Sequence, residues 1–169
     1  MKYCSQCGNQ VLDEAVICVK CGCPIQGAPT AQAAARPVAQ LSTNRGLAKN
    51  ILLSIITFGL YGLVVMSSVS TDINTIATRY DGKKTMHYCL LFFIFSWLTF
   101  GIAPIVWFHK VSSRIGSELY RRGIAYSFSA SSYWLWAVLG SFIFVGPFVY
   151  YHKLFKAMNL LAADFNVNG

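Results

Sequence analysis

From residue 50 onward the apolar positions come in long blocks. Residues 50–71 and 88–108 hold no charged side chain, and the same is true of 133–151. Each run approaches or exceeds the roughly 20 residues that a helix rising about 1.5 Å per residue needs to cross a hydrocarbon layer. Three such runs in so short a stretch leave no polar face for water, so a set of soluble core helices does not fit. The pattern predicts three spans, at about 50–68, 88–108 and 133–151. Tyr88, Trp107, Tyr133, Trp134, Trp136, Tyr150 and Tyr151 lie near the ends of the second and third, where an interfacial aromatic belt belongs.

Behind each block the apolar positions thin to a stripe at i, i+3/i+4. The stripes are Val65, Val69, Ile73, Ile76, Tyr80; then Phe108, Val111, Ile115, Leu119; then Phe148, Tyr151, Leu154, Phe155, Met158. With basic groups opposite, they predict helices that lie at the headgroup boundary or pack on each other there.

The blocks are also related to one another. Aligning Gly62, Pro104 and Pro147, at offsets of 42 and 43, brings Thr57-Phe58-Gly59 onto Thr99-Phe100-Gly101 and His109-Lys110 onto His152-Lys153. The summed offset brings Asn74, Ala77, Tyr80 and Asp81 onto Asn159, Ala162, Phe165 and Asn166. This predicts three repeated units, each an apolar helix, a Gly or Pro interruption and an amphipathic tail. Two topologies follow. If each unit crosses once, neighbouring units are inverted; if each turns back at its Gly/Pro site, all tails share one side. A Lys/Arg count favours single crossing with the N-terminus inside. It sets Lys2, Lys20, Arg36, Arg45, Lys49, Lys110, Arg114, Arg121 and Arg122 in the cytoplasm and Arg79, Lys83, Lys84, Lys153 and Lys156 outside.

Residues 1–25 have a different chemistry. Cys4, Cys7, Cys18 and Cys21 form two C-x2-C pairs ten residues apart, each followed by glycine. A two-residue gap lets one tight turn aim two thiolates at one ion, and four such ligands fill a tetrahedral zinc site. A redox pair would sit beside a βαβ pattern, which is missing here. With every corner filled by sulfur, no position stays open for water or substrate, so one structural Zn2+ is expected. The few apolar side chains of this segment cannot order it unaided, and the metal supplies the difference. Cys23 reads as a bystander. Residues 26–49, with Pro29 and Pro37 among Ala, Gln, Ser and Thr, read as a flexible tether.

Composition sharpens this division. Apolar residues make up 55% of the 169 and charged ones only 12%, which excludes disorder for most of the chain. The net charge is +8, but in the cysteine-bearing segment Lys2 and Lys20 balance Asp13 and Glu14. A phosphate-binding ribbon carries its basic groups on itself, so nucleic acid is not expected as a partner. None of Asp13, Glu14, Asp72, Asp81, Glu118 and Asp164 falls inside an apolar block, unlike the buried ionisable group of an ion-coupled carrier. His109, Lys110, His152 and Lys153 read as interfacial flanks that snorkel toward lipid headgroups. No catalytic constellation emerges.

Met1-Lys2-Tyr3-Cys4-Ser5-Gln6-Cys7-Gly8, followed by Cys18-Val19-Lys20-Cys21-Gly22-Cys23, resembles the short double-knuckle zinc ribbon that opens many prokaryotic membrane proteins. Thr57-Phe58-Gly59-Leu60-Tyr61-Gly62, with the Asp72-Ile73-Asn74 tail, resembles the membrane domain known as domain of unknown function 4234. The family's usual tryptophan is replaced here by Val65, while Trp107 holds the equivalent place in the second repeat. The resemblance brings no established activity. The expected fold is a small N-terminal zinc ribbon with short β-hairpins at 1–25, a flexible linker at 26–49, and an all-α membrane domain of three repeated helical units at 50–169. The expected function is that of a non-enzymatic protein of the inner membrane whose cytoplasmic ribbon docks a protein partner. The alternative is a small channel or carrier, assembled from several copies with the ribbon as assembly domain. A membrane-tethered nucleic-acid-binding ribbon ranks third.

Overall fold

The computed structural model describes residues 2–4, 6–11, 18–21, 23 and 40–169. The chain divides into two compact units, at 1–35 and 36–169. In the first, strands β1 (Lys2–Tyr3) and β2 (Gln10–Val11) pair antiparallel, with Lys2 opposite Val11 and Tyr3 opposite Gln10.

The second unit is helical and consists of three hairpins. In the first, α1 (Leu47–Ile56) turns into α2 (Leu60–Asp81). The second joins α3 (88–98), which carries a widened π segment at Leu91–Phe95, to α4 (Ile102–Arg121). The third joins α5 (130–143), part π and part 3-10, to α6 (Gly146–Asn168). Contacts join the two arms of each hairpin. Arg45 meets Ser68 and Asp72, Trp107 donates its indole N–H to the Met86 carbonyl at 2.9 Å, and Lys153 sits over Trp136.

Each expected span therefore contains a reversal, and the single pass favoured by the Lys/Arg count gives way to helices that fold back. Among the described residues no helix is long and apolar enough to cross a membrane. The reason lies in the turn chemistry. At the first turn Thr57 Oγ1 donates to the Leu53 carbonyl at 2.7 Å and accepts the Tyr61 N–H at 2.9 Å, so one hydroxyl ends α1 and starts α2. Phe58 (φ 51°) and Gly59 (φ 89°) are both left-handed, and the Gly59 N–H reaches back to the Ser54 carbonyl at 2.7 Å. The second turn repeats this bond for bond. Thr99 Oγ1 spans Phe95 and Ala103 at 2.6 and 2.9 Å, Phe100 and Gly101 have φ of 51° and 86°, and the Gly101 N–H meets the Ser96 carbonyl at 2.8 Å. In the third turn Phe144 is again left-handed, at φ 59°. There Gly140 and Gly146 let the two arms touch backbone to backbone: a Cβ on Gly146 would lie 2.3 Å from Gly140 Cα and from the Trp136 carbonyl.

The outer parts of α2, α4 and α6 close into one core. Val69, Ile73 and Ile76 meet Val111, Ile115 and Leu119, and Leu154, Phe155, Met158, Leu161 and Phe165 complete it. The stripes thus pack on each other, the second of the two arrangements expected for them. Tyr80 and Phe148 are exceptions and stay exposed.

Each tail also grips the segment that leads into another hairpin. Asn74 on α2 holds Thr85 by both backbone groups, at 2.7 and 2.8 Å, and Asn159 on α6 holds Arg45 in the same way, at 3.1 and 2.8 Å. At the intervening aligned position, Gly116 on α4 abuts the backbone of Phe128 and Ser129 directly. The three contacts close a ring. Two turns further along α6, Asn166 clamps Leu41 at 2.7 and 2.8 Å. The expected tether of 26–49 is corrected here: its last ten residues are clamped to α6, paired with Asp72 or helical in α1, while 24–39 lie outside the described residues. A Cβ at 116 would sit 2.4 Å from the Phe128 carbonyl oxygen, with backbone on the far side and no flexible tip to yield. Gly116→Ala should therefore destabilise the helical unit by about 1–3 kcal/mol, read as a lowered thermal midpoint. An unchanged midpoint would show that this contact gives way freely.

Candidate metal centre and apolar hairpin ends

The two knuckles of the first unit are built alike. The Cys4 N–H donates to the Asn9 carbonyl and the Cys18 N–H to the Cys23 carbonyl, both at 2.9 Å and both five residues on. Gly8, at φ 65°, allows the first knuckle to turn and carries its N–H to the Cys4 carbonyl at 2.8 Å. The loops bring Cys4 and Cys21 sulfurs to 3.6 Å, Cys7 and Cys18 to 3.6 Å, and all four within 4.8 Å of one another. Four sulfurs at about 2.3 Å from one zinc at tetrahedral corners stand about 3.8 Å apart, so donor set and spacing fit one structural zinc ion.

Two of the four thiols are already biased toward the thiolate that zinc requires: backbone N–H groups of Gln6 and Cys7 hold Cys4 down at about 6, and those of Lys20 and Cys21 lower Cys18. At Cys7 and Cys21 the backbone N–H groups of Asn9 and Cys23 are outweighed by burial and the neighbouring sulfurs, which raise both thiols, a crowding that a bound cation offsets. Cys23 stands outside the cluster, at the position matching Asn9, and its sulfur contacts the Cys21 carbonyl at 3.8 Å. Cys89 lies in the other unit, beside Ser67 at 3.1 Å. Metal analysis should find one zinc per chain in the Cys23→Ser and Cys89→Ser proteins and none in Cys18→Ser. Full zinc in the last would refute the ligand set.

The second feature is the exposed apolar surface of the hairpin ends. Phe58, Phe100 and Phe144 are 98%, 97% and 84% exposed, and around them Ile55, Ile56, Leu60, Trp97, Leu98, Ile102, Phe142, Ile143 and Val145 also face outward. A left-handed conformation costs a non-glycine residue about 1–2 kcal/mol, so phenylalanine at all three apices is not what the turn geometry itself selects. Between α1 and the start of α6 runs an apolar groove of about 380 Å³, lined by Ile51, Ile55, Phe58, Phe148 and Tyr151. Asn50 Oδ1 and Ser54 Oγ, on its polar edge, are the two buried side-chain polar atoms without a partner among the described residues.

The four expected lipid-facing residues fall at the level where the hairpins leave the bundle. His109 accepts the Trp134 indole N–H at 3.0 Å, Lys153 lies over Trp136 at 6.0 Å, and Lys110 and His152 are exposed. Behind that level each of the four carboxylates is paired with arginine. Arg114 binds Asp81, Arg45 binds Asp72, and Arg122 bridges Glu118 and Asp164, with Arg121 also on Glu118. Sequence reasoning counted these arginines only as topology signals. Glu118 pairs with Arg121 and Arg122 at helical i, i+3 and i, i+4 spacing, but Arg45–Asp72, Arg114–Asp81 and Arg122–Asp164 span 27 to 42 residues and join hairpins or hairpin bases, which no local spacing reveals.

Comparison with known families agrees with the two units. Residues 3–25 match the model of a zinc-ribbon domain. Residues 45–117 match the Domain of unknown function (DUF4234). The latter match begins at Arg45, where the clamped segment enters α1, and covers the first hairpin and most of the second. No curated protein and no solved structure matches the chain.

Proposed function

We propose that the chain is a non-enzymatic adaptor seated on the inner membrane. The helical unit holds it to the bilayer, and the cytoplasmic zinc ribbon presents a metal-ordered surface to a protein partner. The observation that carries the membrane half is the collection of large exposed apolar side chains at the hairpin ends, opposite a bundle whose carboxylates are paired with arginine. Clustered exposed apolar side chains of this kind mark a protein or membrane interaction site. The recurrence of one turn geometry supports the reading of three repeated units, and His109, Lys110, His152 and Lys153 serve as headgroup contacts. The ribbon's closed four-thiolate site offers recognition and no chemistry, and its charge balance favours a protein over nucleic acid.

The test is flotation of the intact, zinc-loaded protein with anionic liposomes. The triple variant Phe58→Glu/Phe100→Glu/Phe144→Glu should lose at least about 100-fold in affinity, because burying a Phe side chain contributes about 1.5–3 kcal/mol and a charge in its place opposes insertion. Circular dichroism should show its helix content retained. Undiminished flotation of the variant would refute attachment through these ends. For the ribbon, chelation should abolish partner capture and leave flotation intact.

A further inference from the structure

Resting on the membrane-seated reading above, we infer that the three hairpins enter a single leaflet of an anionic bilayer from one side and turn back near its mid-plane. The helical unit is then a three-pronged wedge with every loop and both termini on one face.

Prong length sets the depth. Lys49 precedes Phe58 by nine residues, His109 follows Phe100 by nine, and His152 follows Phe144 by eight. At about 1.5 Å per residue these groups stand about 12–14 Å from the tips. Half of a hydrocarbon core of about 30 Å is about 15 Å, so a prong whose first basic group sits at the headgroups ends near the mid-plane.

The tips meet the demand that hydrocarbon makes of a reversing backbone. Water cannot satisfy an open N–H or C=O there, and loops at that depth fail unless the protein supplies partners. In the first two turns the threonine hydroxyl, the Phe N–H to Ile55 or Trp97 at 3.3 Å, and the Gly N–H to Ser54 or Ser96 supply them locally. In water the same apices carry two costs, a strained phenylalanine and its exposure. Immersion removes the second.

The bases of the prongs fix the side. Both ends of the first hairpin are held in the bundle, by Asn159 on Arg45 and by Asn74 on Thr85. Gly116 meets Phe128 just ahead of the third hairpin. Since the entering and leaving strands of chain join one charged bundle, neither end can lie across the bilayer from the other. The collar at the base is basic. Lys49, His109, Lys110, His152 and Lys153 lie within ten residues of a tip, and no carboxylate does. Indoles of Trp134 and Trp136 lie among them, as at a headgroup boundary, and the sign of the charge selects anionic lipid. Insertion of three prongs expands one leaflet only, so affinity rises with convex curvature.

Two measurements on the full, zinc-loaded chain test this. In membrane vesicles of known orientation, a membrane-impermeant maleimide should label Lys84→Cys and Ser127→Cys, each in a Cys23→Ser/Cys89→Ser background, from the same face. Labelling from opposite faces would overturn the wedge in favour of crossing units while leaving membrane attachment intact. With the unmodified chain, flotation on anionic vesicles of about 30 nm should exceed that on vesicles of about 200 nm by about fivefold at equal lipid. Equal binding to both sizes would overturn the wedge. Loss of binding to both would overturn the membrane reading itself.

Discussion

A zinc chelator should unfold the ribbon completely and leave the helical unit untouched. Among the described residues of the ribbon the buried side chains are Cys4 and Cys18, two of the ligands themselves, whereas Tyr3 and Val19 face outward. Among these described residues no apolar core stands to persist once the ion leaves. Structural zinc contributes on the order of 10–16 kcal/mol to small peptides of this kind, more than a two-residue strand pair and the three described knuckle hydrogen bonds hold on their own. The helical unit shares none of these ligands. Its stability comes from its buried core, the asparagine clamps and the ion pairs of 40–169. Far-ultraviolet circular dichroism before and after chelation should therefore show the helical signal unchanged. Amide resonances of residues 2–23 should collapse to random-coil positions and recover with added zinc. A substantial loss of helix on chelation would mean that the two units stabilise each other.

The two units were legible in the sequence to different degrees, for physical reasons. A zinc site is written locally: two C-x2-C pairs with following glycines fix the ligand atoms before any long-range packing is known, and Cys23 could be set aside because it broke that spacing. The hairpins were half legible. The recurrence of Thr-Phe-Gly at 57–59 and 99–101 marked a turn, yet hydropathy alone reads an uncharged block of twenty residues as a span. The hydroxyl bonds of Thr57 and Thr99 that reverse the chain add nothing to an apolar average. The ring of clamps was less visible still. Asn74 and Asn159 aligned across the repeat, but their partners Thr85 and Arg45 lie 11 and 114 residues away, and Gly116 contributes through the side chain it lacks. Arg45 was assigned to a tether because the composition around it is that of one. Its bonds to Asp72, Ser68 and Asn159, with the Asn166 clamp on Leu41, show that the helical unit begins ahead of α1.

Arg114→Met should be the most damaging single substitution in the helical unit, lowering its unfolding free energy by about 3–5 kcal/mol. The five guanidinium N–H groups reach six acceptor atoms, with the two on Nη2 shared among three: the two carboxylate oxygens of Asp81, Asn74 Oδ1, Thr85 Oγ1, Thr78 Oγ1 and the Lys83 carbonyl. Methionine replaces the stem and leaves those acceptors facing a gap, while the charge on Asp81 loses its partner. Because Asp81 keeps 28% of its side chain in solvent, the lower end of that range is expected. The substitution also has a pH signature. Burial alone would raise the Asp81 carboxyl, but hydrogen bonds from Arg114 and from the Lys83 N–H outweigh it and hold the group below the usual aspartate range. A carboxyl lowered by folding stabilises the fold above its unfolded pKa, near 4, and that contribution disappears as pH falls through the lowered value. Glu118 behaves likewise: its burial is outweighed by Arg121 and Arg122, and the variant leaves it in place. Asp72 has the opposite sign. Burial raises it in spite of Arg45, so its contribution is present at low pH and is lost as pH rises through its folded value. The native chain should therefore lose thermal stability below about pH 4, less steeply than Asp81 and Glu118 alone would dictate. In Arg114→Met the midpoint at neutral pH should be lower and the acid decline shallower, since Asp81 no longer has a stabilised charge to lose. A lower midpoint with an unaltered acid decline would assign Arg114 to packing alone and remove the ion pair from the account.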